Sequence, residues 1–251
     1  MAWEKEHTTG VTAIVGSDPS QPMPLRDGET EPGTKFFGNL IWSASDDKGA
    51  WSNKMLPICV VHGEKQGRGV LLLAGNHGDE YESQIAVQKL CRSVDPADVC
   101  GRLIMIPTIS LAAAMECRRT WPPSEYGSEN VNFNRVFPGA DTGGPATQLA
   151  YYISHVLMPI VDVVMDVHTG GSSMRIEPSS LATVNPAHPR HRERMEAMLA
   201  FMTPLSFVWV SHVQSLSLSL LPKPQRSCCR CGARPPRRTA RRRLGFYRTR
   251  P

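Results

Sequence analysis

From Met55 onward, short apolar runs alternate with segments whose apolar residues recur at helical spacing. The runs "MLPICVV" and "GVLLLA" are strand-like, and "HGEKQGR" between them reads as a hairpin turn. Glu80 to Ser93 has Ile85, Val87 and Leu90 at helical spacing, "RLIMIPT" reads as a strand, Ala146 to Leu157 as a helix and "VDVVMDV" as a buried strand. Further on, Pro186 to Met202 reads as a helix and "LSFVWV" as a strand. Continuously apolar strands alternating with helices predict an α/β fold, its mostly parallel or mixed sheet covered by helices on both faces. In such sheets ligands sit at the carboxyl ends of strands, and both His77 and His168 follow a predicted strand.

The pattern divides the chain. Residues 1–50, rich in Gly, Pro, Thr and Asp with short extended pieces such as "VTAIV" and "NLIW", read as an N-terminal β extension. Residues 51–210 read as the catalytic domain. Residues 211–251 lose apolar periodicity and become rich in Arg, Pro and Cys, which predicts a disordered and non-native tail, with a nucleic-acid arm as the less favoured reading.

Charge sharpens that division. Lys223, ten arginines and no acid follow Glu196, so the overall +5 leaves −6 for residues 1–196. Seven cysteines without paired spacing, and no export signal, predict reduced thiols, with Cys59, Cys91, Cys100 and Cys117 as packing residues. No apolar run reaches the roughly 18 to 20 residues of a membrane span, so the expectation is a cytoplasmic protein without membrane contact.

The candidate chemistry lies in "GNHGDEYE". His77 and Glu80 are spaced H-x-x-E, which brings both onto one face where the chain turns into a helix. A polar surface turn would explain these residues as well. His168, after "DVVMDV" and before Thr169-Gly170-Gly171, offers a third ligand. Two imidazoles and one carboxylate leave zinc an open position, as catalytic sites do. Asp166 is a candidate to orient a ligand, and Asn134 and Arg135 in "NVNFNRVFPG" offer directed donors for a carboxylate.

In their order and separation, "GNHGDEYE", "NFNRVFPG" and "DVVMDVHTGG" resemble the succinylglutamate desuccinylase/aspartoacylase family of zinc-dependent, carboxypeptidase-like hydrolases. "MRIEPSSLATVNP" and the long N-terminal extension bring the resemblance nearest to its N-acetyl-diaminobutyrate deacetylases of ectoine breakdown. The resemblance implies one zinc ion per chain on His77, Glu80 and His168. It also implies a substrate carboxylate held by Asn134 and Arg135, and Arg119 as the group that steadies the oxyanion, with Arg118 the neighbouring alternative. The reaction implied is hydrolysis of the amide of a small N-acyl amino acid, and homo-oligomers are possible partners.

One part of the implied machinery is missing. The family places a general-base glutamate roughly 60 to 75 residues beyond the third ligand, to move the proton of the attacking water. Residues 228–243, "CCRCGARPPRRTARRR", contain no acid, and the family's small C-terminal β domain is not recognisable either. Impaired turnover is the expectation, with a non-catalytic zinc- and carboxylate-binding remnant as the alternative.

Overall fold

The computed structural model describes residues 11–14, 31–43, 53–122, 131–141, 143–176, 180–181, 193 and 208–209. In chain order these form β1 (Val11–Ile14), β2 (Thr34–Ser43), β3 (Asn53–His62), β4 (Lys65–Ala74), α1 (Tyr81–Ser93), β5 (Cys100–Ile106), α2 (Leu111–Met115), α3 (Pro145–Tyr152), β6 (Val163–Val167), β7 (Ser180–Leu181) and β8 (Val208–Trp209). All eight strands share one mixed sheet in the order β1-β2-β3-β5-β4-β6-β8-β7. The fold is α/β. Apart from residue 193, which is helical, the predicted helix over Pro186 to Met202 lies outside the described residues, as does the tail 211–251, and no helix among the described residues is long and apolar enough to cross a membrane.

The central strands are apolar where the sheet is covered on both faces: β4 is exposed over Lys65–Arg68 and buried at Leu71, Leu73 and Ala74. On one side Leu56, Ile58 and Val60 of β3, Leu71 and Leu73 of β4, and Ile104 and Ile106 of β5 pack with Ala146, Leu149 and Ala150 of α3 and with Ile153, Val156 and Leu157 beyond it. On the other side Cys59, Val61, Ala74 and Met105 pack against Val87 and Cys91 of α1. Each large apolar side chain buried in this way contributes about 1.5–3 kcal/mol.

At the centre, β4 pairs in parallel with β5 and with β6. The β4–β6 register runs from Val70 opposite Val163 to Ala74 opposite Val167. The loops carrying His77 and His168 therefore leave neighbouring strands at the same end of the sheet.

Four local expectations change. The predicted hairpin does not form: β3 and β4 run antiparallel but are not neighbours, because β5 lies between them and pairs with both. The turn opens around Val99 to Gly101. Gly63 donates its N–H to Gly101 O at 2.8 Å, and a Cβ on Gly63 would run into the Val99 carbonyl. Gly63→Ala is accordingly expected to destabilise the chain by about 1–3 kcal/mol through forced backbone displacement, read as a lower denaturation midpoint.

Helix α1 buries Ser83, Gln84, Val87 and Cys91, while Ile85 (50 %) and Leu90 (37 %) stay exposed. Its inner face is thus partly polar, because that face also anchors the loop before it. The predicted helix from Ala146 to Leu157 is α-helical only to Tyr152 and continues as a π-turn over Ile153–Leu157. Among the cysteines read as packing residues, Cys59 and Cys91 are buried, Cys100 is half-buried and Cys117 is exposed. Cys117 has a positive φ of 52° in the turn after α2, so its side chain is carried away from the core.

Candidate metal centre

Between β4 and α1 the chain reverses tightly. Gly75 has φ +64°, and a Cβ there would press on Gln84 and Thr108, so glycine supplies both the conformation and the room. Ile109 N–H donates to Ala74 O at 2.9 Å and Ser110 N–H to Gly75 O at 3.0 Å. Gln84 Nε2 donates to Gly78 O at 3.1 Å, and Ser83 Oγ donates to Glu80 O at 2.8 Å. The polar inner face of α1 thus fixes the loop that carries His77 and Glu80.

His77, Glu80 and His168 come together, 2 %, 1 % and 5 % exposed. His77 Nδ1 lies 2.6 Å from Glu80 Oε1, and His168 Nδ1 lies 3.0 Å from Glu80 Oε2. Each imidazole faces a different oxygen of one carboxylate, with ring centroids 5.0 Å apart. The far nitrogens are also engaged. His168 Nε2 lies 2.9 Å from Asp166 Oδ2, and His77 Nε2 lies 3.3 Å from Asn132 Oδ1. A histidine whose Nε2–H is donated to an acceptor presents the Nδ1 lone pair, so both rings are oriented to offer Nδ1 towards Glu80.

This donor set fits a small divalent cation. Ligand atoms of the three residues all lie within 4.8 Å of one another. Two nitrogens and a carboxylate oxygen are the donors that zinc prefers, at bond lengths of about 2.0–2.2 Å.

The electrostatics agree with a shared centre. Burial pushes the Glu80 carboxyl up, but hydrogen bonds from His168 and His77, the His168 charge and the Thr169 N–H at 2.9 Å outweigh it and hold the pKa at about 2. Burial pulls His168 down, whereas the Asp166 charge and hydrogen bond, together with Glu80, raise it to about 10. In the metal-free protein His168 is therefore an imidazolium held between two carboxylates.

Arg119 Nη1 is 3.2 Å from Glu80 Oε1 with half of its side chain exposed, whereas Arg118 pairs with Glu116 at 3.3 Å. Of the two adjacent arginines, Arg119 faces the centre. Asn134 joins through Asn76, whose Nδ2 donates to Asn134 Oδ1 at 2.7 Å. Arg135 is exposed and donates to Asn134 O at 3.4 Å. Asp166 supports His168 and also accepts from Asn76 Nδ2 at 2.9 Å. Glu82 accepts from Thr169 Oγ1 at 2.9 Å, bracing the His168 loop against α1.

Sequence reasoning missed Asn76, Asn132 and the Thr169 amide. The only signal for the two asparagines was position: Asn76 precedes His77, and Asn132 forms N-x-N with Asn134. The segment 228–243, the family's position for the general base, lies outside the described residues. A groove of ≈ 530 Å³ flanked by Met55, Leu111 and Trp121 contains none of the centre's residues.

A family model, succinylglutamate desuccinylase/aspartoacylase catalytic domain, matches residues 66–220. The chain belongs to this family. Among relatives of the succinylglutamate desuccinylase/aspartoacylase family, it is 38% identical over 173 residues to the N-alpha-acetyl-L-2,4-diaminobutyric acid deacetylase of Halomonas elongata, a match covering 68% of this chain and 48% of the relative. A succinylglutamate desuccinylase crystal structure from Silicibacter sp. TM1040 superposes with a TM-score of 0.60 at 32% identity, covering 68% of this chain and 49% of that one. The product-bound ectoine utilization protein EutE of Ruegeria pomeroyi superposes with a TM-score of 0.55 at 31% identity, covering 67% and 52%. The chain thus spans about half the length of these family members.

Proposed function

We propose that this chain holds one zinc ion on His77, Glu80 and His168, and that the centre serves hydrolysis of the amide of a small N-acyl amino acid. N-acetyl-diaminobutyrate is the substrate favoured by the 38% identity to a deacetylase of that compound. The observation that carries the metal assignment is the convergence of two imidazole Nδ1 atoms on the two oxygens of one buried carboxylate. When bound, zinc supplies Lewis-acid polarisation and acidifies a water.

The chain's own residues supply the rest. Arg119, half exposed and 3.2 Å from Glu80, is the guanidinium that would donate to negative charge developing on the scissile carbonyl. Asn134 and its exposed neighbour Arg135 supply a neutral and a cationic donor, suited to the carboxylate of the amino acid. Residues 228–243, the window of the family's general base, contain no acid to carry the proton. Turnover is accordingly slower by about 10²- to 10⁴-fold than in relatives that have one.

Metal analysis and acetate release test both parts. Purified chain is expected to carry about one equivalent of zinc, with His77→Ala weakening zinc binding by at least about 100-fold through loss of one of three ligands. A wild-type chain that takes up no zinc would end the reading. Zinc binding with acetate release at the rate of the Halomonas deacetylase would instead end the claim of impaired turnover. The missing acid also favours a second reading, a centre that binds the N-acyl amino acid without cleaving it. Saturable binding with no acetate released over hours would select that one.

A further inference from the structure

Asn76 is fully buried and directly precedes the ligand His77. Its side-chain nitrogen donates to Asn134 Oδ1 at 2.7 Å and to Asp166 Oδ2 at 2.9 Å. The same Asp166 oxygen lies 2.9 Å from His168 Nε2. One primary amide therefore touches both the carboxylate that orients a metal ligand and the side chain assigned to the substrate's carboxylate. We infer that Asn76 is a positioning residue that couples the metal-holding half of the site to the acid-binding half. The inference rests on the proposed function for the identity of the two halves.

The physical reasons are local. An amide nitrogen carries two N–H bonds, and here each is directed to a different half. With its Oδ1 held by Asn76, the Asn134 amide is left with its NH₂ end to donate, the end a carboxylate ligand requires. Asp166 Oδ1 is buried without a hydrogen-bond partner among the described residues, so Oδ2 alone receives both Asn76 and His168. Among the described residues, removing Asn76 leaves the Asp166 side chain with the His168 imidazole, the group it is meant to orient. The backbone of Asn76 is itself fixed, since its carbonyl accepts from Ser110 Oγ at 2.6 Å and that hydroxyl accepts from Trp121 Nε1 at 2.8 Å. The side chain of Asn76 thus acts from a rigid base.

The test measures two affinities in folded protein: zinc by competition with a chromophoric chelator, and L-2,4-diaminobutyrate by calorimetry on the zinc-loaded chain. Neither depends on turnover. Asn76→Ala is expected to weaken zinc by about 10- to 100-fold, the usual range for loss of a group that supports a ligand. It is also expected to weaken diaminobutyrate by about 5- to 10-fold, through loss of one orienting hydrogen bond. Combined with Asp166→Ala the zinc effects should fall short of additive, and combined with Asn134→Ala the diaminobutyrate effects should do the same. A general loosening of the fold would not produce that pairwise pattern.

Native near-UV circular dichroism establishes that each variant is folded. Asn76→Ser, which keeps a single small donor, replaces the alanine variant if that one is unfolded, and should show the same losses at smaller size. Either variant leaving both affinities within about twofold of wild type, or losses that simply add, overturns the inference. A wild-type chain that binds zinc but not diaminobutyrate overturns the substrate assignment and the Asn134 half of the coupling. The zinc measurements with Asp166→Ala then decide the other half alone.

Discussion

Glu80→Ala is expected to abolish stoichiometric zinc binding and to lower the stability of the metal-free chain by about 3–5 kcal/mol, the cost of removing one partner from a buried charged pair. Glu80 is the hub of the centre. Its two oxygens face His77, His168, the Thr169 N–H and Arg119. Truncation leaves the buried His168 imidazolium with Asp166 as its remaining carboxylate, and strips the His77 ring of its nearest partner. Glu80→Gln separates charge from shape: it keeps the volume, loses the anion, and should recover part of the stability while binding zinc poorly. Urea denaturation in the presence of a chelator reads the stability, and competition titration reads the metal. A Glu80→Ala chain that binds zinc as tightly as wild type would remove Glu80 from the ligand set.

Zinc affinity is expected to rise by about tenfold per pH unit between pH 6.5 and 8, because each ion bound must displace the proton on His168. The sign follows from the two shifted groups. His168 is raised from 6.5 to about 10, so its contribution to the stability of the metal-free protein is complete below pH 6.5 and is lost as pH rises through 10. Glu80 is lowered from 4.5 to about 2, so its contribution is present above pH 4.5 and is lost as pH falls through 2. The proton and the metal therefore compete for the same Nδ1 throughout the neutral range, and alkali favours the metal. Calorimetry in buffers of different ionisation enthalpy should count about one proton released per zinc at pH 7.5. An affinity flat across that window would mean that zinc displaces no proton from His168.

Arg119 illustrates what adjacent residues leave open. Two arginines in "ECRRTW" are equivalent by composition. Only the turn after α2 decides that Arg118 meets Glu116 and Arg119 meets Glu80. The hairpin misreading has a similar origin. Two apolar runs joined by a short glycine-bearing linker look like neighbours, but β5, from more than thirty residues downstream of β3, enters between them. Glycines at 63 and 67 that suggest a turn are also what lets the Val99 to Gly101 backbone approach.

By itself the sequence determined the α/β class, because strands covered on both faces must be apolar throughout and helices must alternate with them. It also singled out His77, Glu80 and His168 as candidate ligands, because His77 and Glu80 lie within one turn of each other and His168 directly follows a strand. The tertiary structure alone decided which strands are neighbours, and so that the β4 and β6 loops meet at one end of the sheet. It alone decided that Asn76, Asp166 and Asn134 form one network. Those contacts join residues 58 and 90 positions apart in the chain, and hydrogen bonds of that span depend on packing that no local pattern of polar and apolar residues encodes.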